Sequence, residues 1–120
     1  MGARILIVED SALVTDAFSA LFGAAGYDVA IAATVADAIT QASAREVDMM
    51  LLDLTLPDGS GLDVLDGLRA VGRLPHATIA MTGRDEKRIR ESCFNAGCVE
   101  VLLKPLPVGE LLRHIERHLA

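Results

Sequence analysis

Five residues carry side chains that could do chemistry together, and each follows an apolar run. They are Glu9, Asp10, Asp53, Thr82 and Lys104. Carboxylates combined with a lysine and a hydroxyl suit phosphoryl transfer, because that reaction depends on positioning and charge neutralisation more than on covalent machinery. A carboxylate can also be the nucleophile and form an aspartyl-phosphate. These residue types indicate phosphoryl chemistry, provided that the fold brings them together.

Each of these residues also has an ordinary structural explanation. An acidic pair after a strand commonly serves as a turn and helix cap, and Thr82 before Gly83 is typical of a turn. Lys104 precedes Pro105, which by itself favours an extended backbone at the lysine. Only their shared position, at the end of an apolar run in each case, favours one common site.

The apolar runs before these residues have the composition of buried strands. They are short and aliphatic, as expected for strands covered on both faces. The five runs are residues 4–8, 28–32, 48–52, 77–81 and 99–103. The second and fifth runs include small or charged residues, which favours positions at the edges of a sheet.

Segments with helical periodicity separate the runs. The first, at residues 12–26, ends at Gly26, a residue that suits a helix C-terminus. Its predicted apolar stripe consists of Leu13, Ala17, Ala20, Leu21 and Ala24. Thr34 and Asp37 have the spacing of a capping box that opens the second helix.

The remaining helices have their own start and stop residues. They are predicted at residues 61–71, 85–97 and 106–120. Asp85 is the predicted N-cap of the fourth helix and Gly97 its stop. Pro107 suits the first turn of the last helix.

Strand and helix therefore alternate five times, which predicts an α/β fold: a doubly wound parallel sheet with helices on both faces. At 120 residues, we expect one domain, 1–120. Ligands bind at the carboxyl ends of strands in such sheets. Carboxylates gathered there would repel one another. Mg²⁺ would offset that repulsion, because it binds carboxylate and phosphate oxygens.

Composition and charge exclude some functions. The net charge of −6 argues against nucleic-acid binding, which needs clustered Lys and Arg. No apolar run approaches the ~20 residues that span a bilayer, and the N-terminus does not resemble a signal peptide. Cys93 and Cys98 lack metal-site spacing. We expect them to be free thiols, which favours a cytoplasmic protein. The short apolar runs favour a protein without membrane contact.

Two of the three histidines, His114 and His118, lie four residues apart on the last predicted helix. This spacing can bind a metal ion. The sequence identifies no carboxylate partner for them, so we interpret them as part of a solvated helix face.

Four segments, in their order and spacing, resemble the receiver domain of two-component response regulators, including the single-domain chemotaxis type. They are ILIVED, LLDLTLPDGSGLDVL, IAMTG and VLLKPL, and the similarity runs from Arg4 to about Leu119. The resemblance implies a flavodoxin-like fold with five parallel strands in the order 2-1-3-4-5 and five helices.

The resemblance also implies a role for the acidic residues. Asp53 matches the phosphoacceptor, and Glu9 and Asp10 match the acidic pair that supports Mg²⁺. Thr55, two residues after the phosphoacceptor, matches the position that gives a backbone carbonyl to the metal.

Near the other strand ends, Thr82 matches the switch hydroxyl, and Lys104 matches the lysine that contacts the phosphate. The bond between Lys104 and Pro105 matches one that is often cis in the family. One position departs from the pattern: Val101 stands where receivers usually carry Tyr or Phe. We therefore expect phosphorylation to act through Thr82 and the loop after it, without an aromatic ring.

The implied function is a phosphorylatable signalling switch, not an enzyme that acts on a metabolite. It would accept a phosphoryl group from a histidine kinase or phosphotransfer protein, and catalyse only its own phosphorylation and dephosphorylation. Its output would be a downstream effector protein or a fused output domain. Receivers can also form homodimers through the fourth helix, fifth strand and fifth helix. The sequence leaves open whether the chain is a whole regulator or part of a larger one.

Other functions fit the sequence less well. A receiver-like interaction module that is never phosphorylated would not need all of the key residues. A phosphatase of the haloacid-dehalogenase type would need a second aspartate at position 55, where Thr55 stands. A dinucleotide-binding domain would need a GxGxxG motif after the first strand. The nearest match, GSGLDV at 59–64, follows the third strand.

Overall fold

A five-stranded parallel sheet forms the centre of the protein in the computed structural model, which describes residues 2–119. The strands of the chain are β1 (Arg4–Val8), β2 (Asp28–Ala32), β3 (Met49–Asp53), β4 (Thr55–Leu56), β5 (Gly59–Ser60), β6 (Ala77–Thr82) and β7 (Glu100–Leu103). The main sheet has the order β2-β1-β3-β6-β7, and all of its strand pairs are parallel. The predicted order 2-1-3-4-5 is confirmed, with the second and fifth predicted strands at the edges.

Five helices cover the two faces of this sheet. They are α1 (Ala12–Ala24), α2 (Val35–Ala44), α3 (Gly61–Ala70), α4 (Lys87–Asn95) and α5 (Val108–Leu119). Helices α1 and α5 pack on one face, where Phe22 and Ile115 are fully buried. Helices α2, α3 and α4 cover the other face, where Leu68 and Cys93 are fully buried. The predicted ends of the domain, Met1 and Ala120, lie outside the described residues.

Successive residues of the central strands serve the two faces in turn. In β1, Ile5 and Ile7 belong to the core under α1 and α5, while Leu6 and Val8 belong to the opposite core. Both sets are fully buried, which explains why the strand is apolar at every position from Ile5 to Val8. The sheet is therefore held rigidly on both sides, and only its ends are open for chemistry.

The predicted apolar stripe of α1 is wrong. Leu13 is 84% exposed, and the residues of the helix that are buried are Thr15, Phe18 and Phe22. The two phenylalanines pack with their ring centroids 5.7 Å apart. Large rings bury far more apolar area than alanines do, so they decide which face of the helix turns inward.

Most of the predicted helix boundaries are confirmed. Gly26 and Gly97 follow the ends of α1 and α4 with φ of 96° and 107°, a conformation that glycine adopts without strain. The Thr34 side chain accepts a hydrogen bond from the Asp37 N–H and so caps α2. The prediction for Asp85 is wrong. Its carboxylate pairs with an arginine of α4, Arg90, and the N-cap position falls one residue later, without a side-chain cap.

Among residues 2–119, no helix is both long enough and apolar enough to cross a membrane.

Candidate functional site

The strand order brings the predicted site residues to one edge of the sheet. Val8 and Leu52 are paired in register on the adjacent strands β1 and β3. Glu9 follows Val8 directly, and Asp53 follows Leu52. On the other side of β3, Thr82 ends β6, and its carbonyl accepts a hydrogen bond of 2.7 Å from the Lys104 N–H. The carboxyl ends of strands β1, β3, β6 and β7 therefore lie together at this edge of the sheet.

Three carboxylates gather at this edge. Oxygens of Glu9, Asp10 and Asp53 lie within 4.8 Å of one another. Glu9 and Asp53 are only 4% and 6% exposed, whereas Asp10 is open to solvent. An all-oxygen, anionic donor set with one accessible side suits a hard divalent cation such as Mg²⁺. The predicted metal-binding carboxylates are thus brought together, and these three could hold a metal ion.

Lys104 supplies positive charge to the same cluster. Its Nζ lies 3.1 Å from Oδ2 of Asp53 and 3.3 Å from Oε2 of Glu9. Burial acts to lower the pKa of Lys104, but the two carboxylates outweigh it and raise the pKa above its ordinary value. The lysine therefore stays charged. The Lys104–Pro105 peptide bond is cis, as the resemblance implied.

The two buried carboxylates have opposite pKa shifts. Burial, together with the hydrogen bond to Asp53 and its charge, raises the pKa of Glu9 to about 7. Burial also acts to raise the pKa of Asp53, but hydrogen bonds from Glu9 and from the Thr55 N–H outweigh it, and Lys104 adds to this effect. The pKa of Asp53 therefore lies below its ordinary value. Near neutral pH, Glu9 is therefore close to half protonated, whereas Asp53 stays ionised.

A small hairpin follows Asp53 and shapes the loop beside it. Strands β4 and β5 pair antiparallel, and the sequence patterns predict neither of these strands. The Thr55 N–H donates to Oδ1 of Asp53 at 3.1 Å. At the hairpin turn, the Asp58 carboxylate accepts hydrogen bonds from Val35 N–H and Ala36 N–H, so it caps α2. The carbonyl of Thr55 remains a predicted metal ligand.

Thr82 lies on the other side of the carboxylate cluster. It is 7% exposed, and its Oγ1 accepts a hydrogen bond of 3.1 Å from the Arg84 N–H. A cleft of about 280 Å³ opens beside it, and Thr55, Arg84 and Arg88 are among the lining residues. Sequence reasoning did not single out Arg88, because its place in this cleft depends on how α4 packs against the sheet.

The position that departs from the family pattern borders a smaller space. Val101 is half-buried on β7 and packs toward the core under α4. With Thr82, Arg84 and Leu103, it lines a cleft of about 90 Å³. No aromatic ring lies on β7. A movement of Thr82 therefore cannot be coupled to a ring that turns inward on this strand.

The fold and the site together define a class: a flavodoxin-like α/β domain with an acidic cluster and a lysine at the carboxyl edge of its sheet. Residues 5–116 match the family model described as the response regulator receiver domain. The chain belongs to this family.

Individual relatives agree with this assignment. The chain is 35% identical over 114 residues to the swarming motility regulation protein RssB of Serratia marcescens, covering 94% of this chain and 51% of that protein. It is 32% identical to the polar-differentiation response regulator DivK of Brucella ovis, covering 99% of this chain and 98% of that protein. The chain thus spans about half the length of several curated relatives and nearly all of others.

Solved structures show the same fold. A response regulator receiver domain protein (CheY-like) from Methanospirillum hungatei JF-1 superposes with a TM-score of 0.90 and 28% identity, covering 99% of this chain and 94% of that one. Receiver domains are signalling switches of two-component systems, and they interact with histidine kinases and with effector or output domains. The protein is therefore a two-component receiver domain.

Proposed function

We propose that this protein is a phosphorylatable switch in a two-component phosphorelay, with Asp53 as the phosphoacceptor. One observation carries the proposal: the Asp53 carboxylate is nearly buried, clusters with Glu9 and Asp10, and lies 3.1 Å from the ammonium group of Lys104. The hydrogen bonds and the lysine hold the pKa of Asp53 below its ordinary value, which favours the ionised form. An ionised, positioned carboxylate is a nucleophile. Lys104 beside it supplies positive charge that compensates part of the charge of a phosphoryl group.

The proposed reaction is an in-line transfer. A carboxylate oxygen of Asp53 attacks the phosphorus, and a new O–P bond forms while the bond from phosphorus to the donor's imidazole nitrogen breaks. The imidazole leaves as the neutral base after it takes up a proton. Lys104 contacts Asp53 and so lies where it can donate to the transferred phosphoryl oxygens. In the separate dephosphorylation step, water attacks the phosphorus, the bond between phosphorus and the Asp53 oxygen breaks, and inorganic phosphate leaves while the carboxylate is restored.

Mg²⁺ fits the donor set of Glu9, Asp10 and Asp53 and, when bound, supplies charge neutralisation during transfer. Glu9 is assigned to release its shared proton when a cation is present, because its raised pKa reflects burial and the adjacent Asp53. Asp10 is exposed at the edge of the sheet, and we assign it to contact the ion from the solvent side. The Thr55 carbonyl completes the proposed protein ligands.

The proposed output begins at Thr82. Its hydroxyl now accepts from the Arg84 N–H and would instead donate to a phosphoryl oxygen on Asp53. That exchange would move the loop leading into α4. Phe94, Val99 and Leu103 are exposed on and beside α4 and β7. We assign the face formed by α4, β7 and α5 to a downstream effector, an output domain or a second copy of the chain.

The remaining parts of the proposal concern context. Residues 1–120 form one receiver domain, and the phosphoryl donor is a histidine kinase or a histidine phosphotransfer protein. The only catalysis is self-phosphorylation and autodephosphorylation. Cys93 and Cys98 are free in the structure, which supports the expected cytoplasmic location.

Acetyl phosphate with Mg²⁺ tests the phosphoacceptor. Intact-mass measurement is expected to show one added phosphoryl group, which is absent in Asp53→Ala and absent when Mg²⁺ is chelated. Asp66→Ala is the matched control, because Asp66 is exposed on α3 and pairs only with Arg69 at the surface. A wild-type chain that stays unmodified would instead support the interaction module that keeps the fold without phosphorylation.

A further inference from the structure

Asp58 joins the hairpin that follows Asp53 to a separate helix, α2. Its Oδ1 accepts a hydrogen bond of 2.7 Å from the Val35 N–H, and its Oδ2 accepts one of 3.1 Å from the Ala36 N–H. These two residues lie 23 and 22 positions before Asp58, so the bonds are tertiary contacts and not part of a local turn. Asp58 is exposed, yet both of its carboxylate oxygens are bonded to α2.

The first turn of α2 favours a charged acceptor at this place. The first N–H groups of a helix have no partner inside the helix, and they carry partial positive charge. The hydrogen bond from the Val35 N–H is the main reason why the pKa of Asp58 lies below its ordinary value, and the bond from the Ala36 N–H acts in the same direction. Asp58 is therefore ionised at neutral pH, and an ionised acceptor makes a stronger hydrogen bond than a neutral one.

The other end of the hairpin reaches the phosphoacceptor. Asp58 lies in the turn between β4 and β5, and Thr55 of β4 pairs with Ser60 of β5. The Thr55 N–H donates to Oδ1 of Asp53 at 3.1 Å. A displacement of the turn would therefore move Thr55, and with it a hydrogen bond to the proposed nucleophile.

The hairpin depends on support from outside because it is short. Strands β4 and β5 have two residues each, and an isolated two-stranded hairpin is marginally stable at best in water. Leu56 is 8% exposed and fixes one side of the hairpin in the core under α2, α3 and α4. Asp58 fixes the turn itself.

We propose that Asp58 is a positioning residue for the metal site: by fixing the hairpin turn on α2, it holds the Thr55 carbonyl and N–H in place beside Asp53. The role rests on the proposed function, because the Thr55 carbonyl is one of the proposed Mg²⁺ ligands. Asp58 is not a member of the cluster of three carboxylates at the sheet edge. Its effect on the metal therefore passes through the hairpin.

Mg²⁺ titration of the whole chain by calorimetry tests this role. Asp58→Ala should weaken Mg²⁺ binding by about tenfold, a usual loss when a group that orients a metal ligand is removed. The Mg²⁺ concentration for half of the maximal rate of phosphorylation by acetyl phosphate should rise by the same factor, while the rate at saturating Mg²⁺ stays close to that of the wild type. Asp58→Asn keeps one oxygen acceptor and should recover part of the affinity.

Thr34→Ala is the matched control. Thr34 caps the same helix, because its Oγ1 accepts a hydrogen bond of 3.0 Å from the Asp37 N–H, but this bond stays at the start of α2 and does not reach the hairpin. Loss of either cap should lower the melting temperature by roughly 2–8 °C. Only Asp58→Ala should lower Mg²⁺ affinity and speed the hydrogen exchange of the Thr55 amide.

The results separate this role from the proposed function. Equal loss of Mg²⁺ affinity in Thr34→Ala and Asp58→Ala would overturn the role, since the cause would then be α2 and not the hairpin. Unchanged affinity in Asp58→Ala would also overturn it, while Mg²⁺ binding and phosphorylation of the wild type would leave the proposed function intact. A wild type that binds no Mg²⁺ would overturn both. If circular dichroism shows that Asp58→Ala does not fold, Asp58→Asn decides: reduced affinity supports the role, and wild-type affinity overturns it.

Discussion

At the scale of single residues, the site concentrates negative charge where the protein is buried. Glu9 and Asp53 are almost inaccessible, and a single ammonium group, that of Lys104, contacts both. Buried like charges destabilise the folded state unless they are paired or protonated. Without a cation, the proton on Glu9 supplies the missing compensation. The carboxylate cluster therefore lowers folding stability by an amount that a bound cation could offset.

Replacing Glu9 by Gln should stabilise the metal-free protein at alkaline pH. The pKa of Glu9 is raised from 4.5 to about 7 in the folded state, so the folded state binds its proton more tightly than the unfolded state does. The resulting stability is fully present below about pH 4.5 and is lost as the pH rises through about 7. The Gln side chain cannot ionise, so the Glu9→Gln protein does not lose this stability. At about pH 8 the free energy of unfolding of Glu9→Gln should therefore exceed that of the wild type by roughly 1–3 kcal/mol.

Urea unfolding with a chelator, at about pH 8 and about pH 4.5, measures this effect. The stabilisation should shrink at the lower pH, and it should shrink when Mg²⁺ is added, because a bound cation stabilises the ionised wild type. Glu91→Gln is the control: this exposed glutamate pairs with Lys87 at 3.8 Å, and its loss should change stability by less than about 1 kcal/mol. A metal-free Glu9→Gln protein no more stable than wild type at alkaline pH would refute the interpretation.

Residue types and spacing predicted which side chains follow the strands, and the strand order implied by the family resemblance predicted that the carboxylates meet the lysine, because parallel strands align their carboxyl ends. The partner of the histidine pair could not be predicted in this way. Glu100 lies 14 residues before His114 and 18 before His118, on a different element. Their meeting depends on how α5 crosses the edge strand, and no local pattern encodes that crossing.

At the scale of elements, helix α3 begins directly against the strand that carries Asp53. Gly61 is its first residue and is buried, and its N–H donates to the Leu54 carbonyl at 3.0 Å. A Cβ at Gly61 would lie 2.3 Å from the carbonyl oxygen of Asp53 and 3.1 Å from Cγ of Leu52. The nearest obstacle is backbone, which cannot turn away as a flexible side chain could.

Gly61→Ala should therefore destabilise the fold by about 1–3 kcal/mol, the usual cost of overpacking. Because relief of the clash must move the backbone of Asp53, Mg²⁺ affinity should fall as well. Gly109→Ala is the matched control, since a Cβ there meets nothing within 4 Å; it should change stability by less than about 1 kcal/mol. Chemical denaturation and Mg²⁺ titration measure both quantities. Equal stability of the two variants would contradict the predicted clash.

The elements show where periodicity is reliable and where it is not. The strands were predictable because burial on both faces leaves an uninterrupted apolar run. The buried face of α1 was not, since the predicted stripe consisted mostly of alanines and left out Phe18 and Phe22, whose rings bury more apolar area. The β4–β5 hairpin was missed because its strands have only two residues each.

At the scale of the whole molecule, hydrogen bonds connect Thr82, beside the proposed phosphorylation site, to the loop before α4 and to the residue that follows β7. The Thr82 carbonyl accepts from the Lys104 N–H and its hydroxyl accepts from the Arg84 N–H. Helix α4 begins at Lys87, soon after Arg84. If the Thr82 side chain rotates toward a phosphoryl group on Asp53, as proposed, its oxygen moves away from the Arg84 N–H. The loop before α4 then loses one of its tethers.

Beryllofluoride, a phosphate mimic, should therefore change amide hydrogen exchange in residues 83–95 when Mg²⁺ is present, and the response should depend on Thr82 rather than on Val101. Thr82→Ala removes the hydroxyl and should abolish most of the response. Val101→Ala should retain it, because a side chain without a ring has no inward and outward positions to couple. Thr40→Ala, an exposed threonine on α2, should behave as wild type. If Val101→Ala folds but loses the response, or Thr82→Ala keeps it, the signal travels along β7 instead of through the loop before α4.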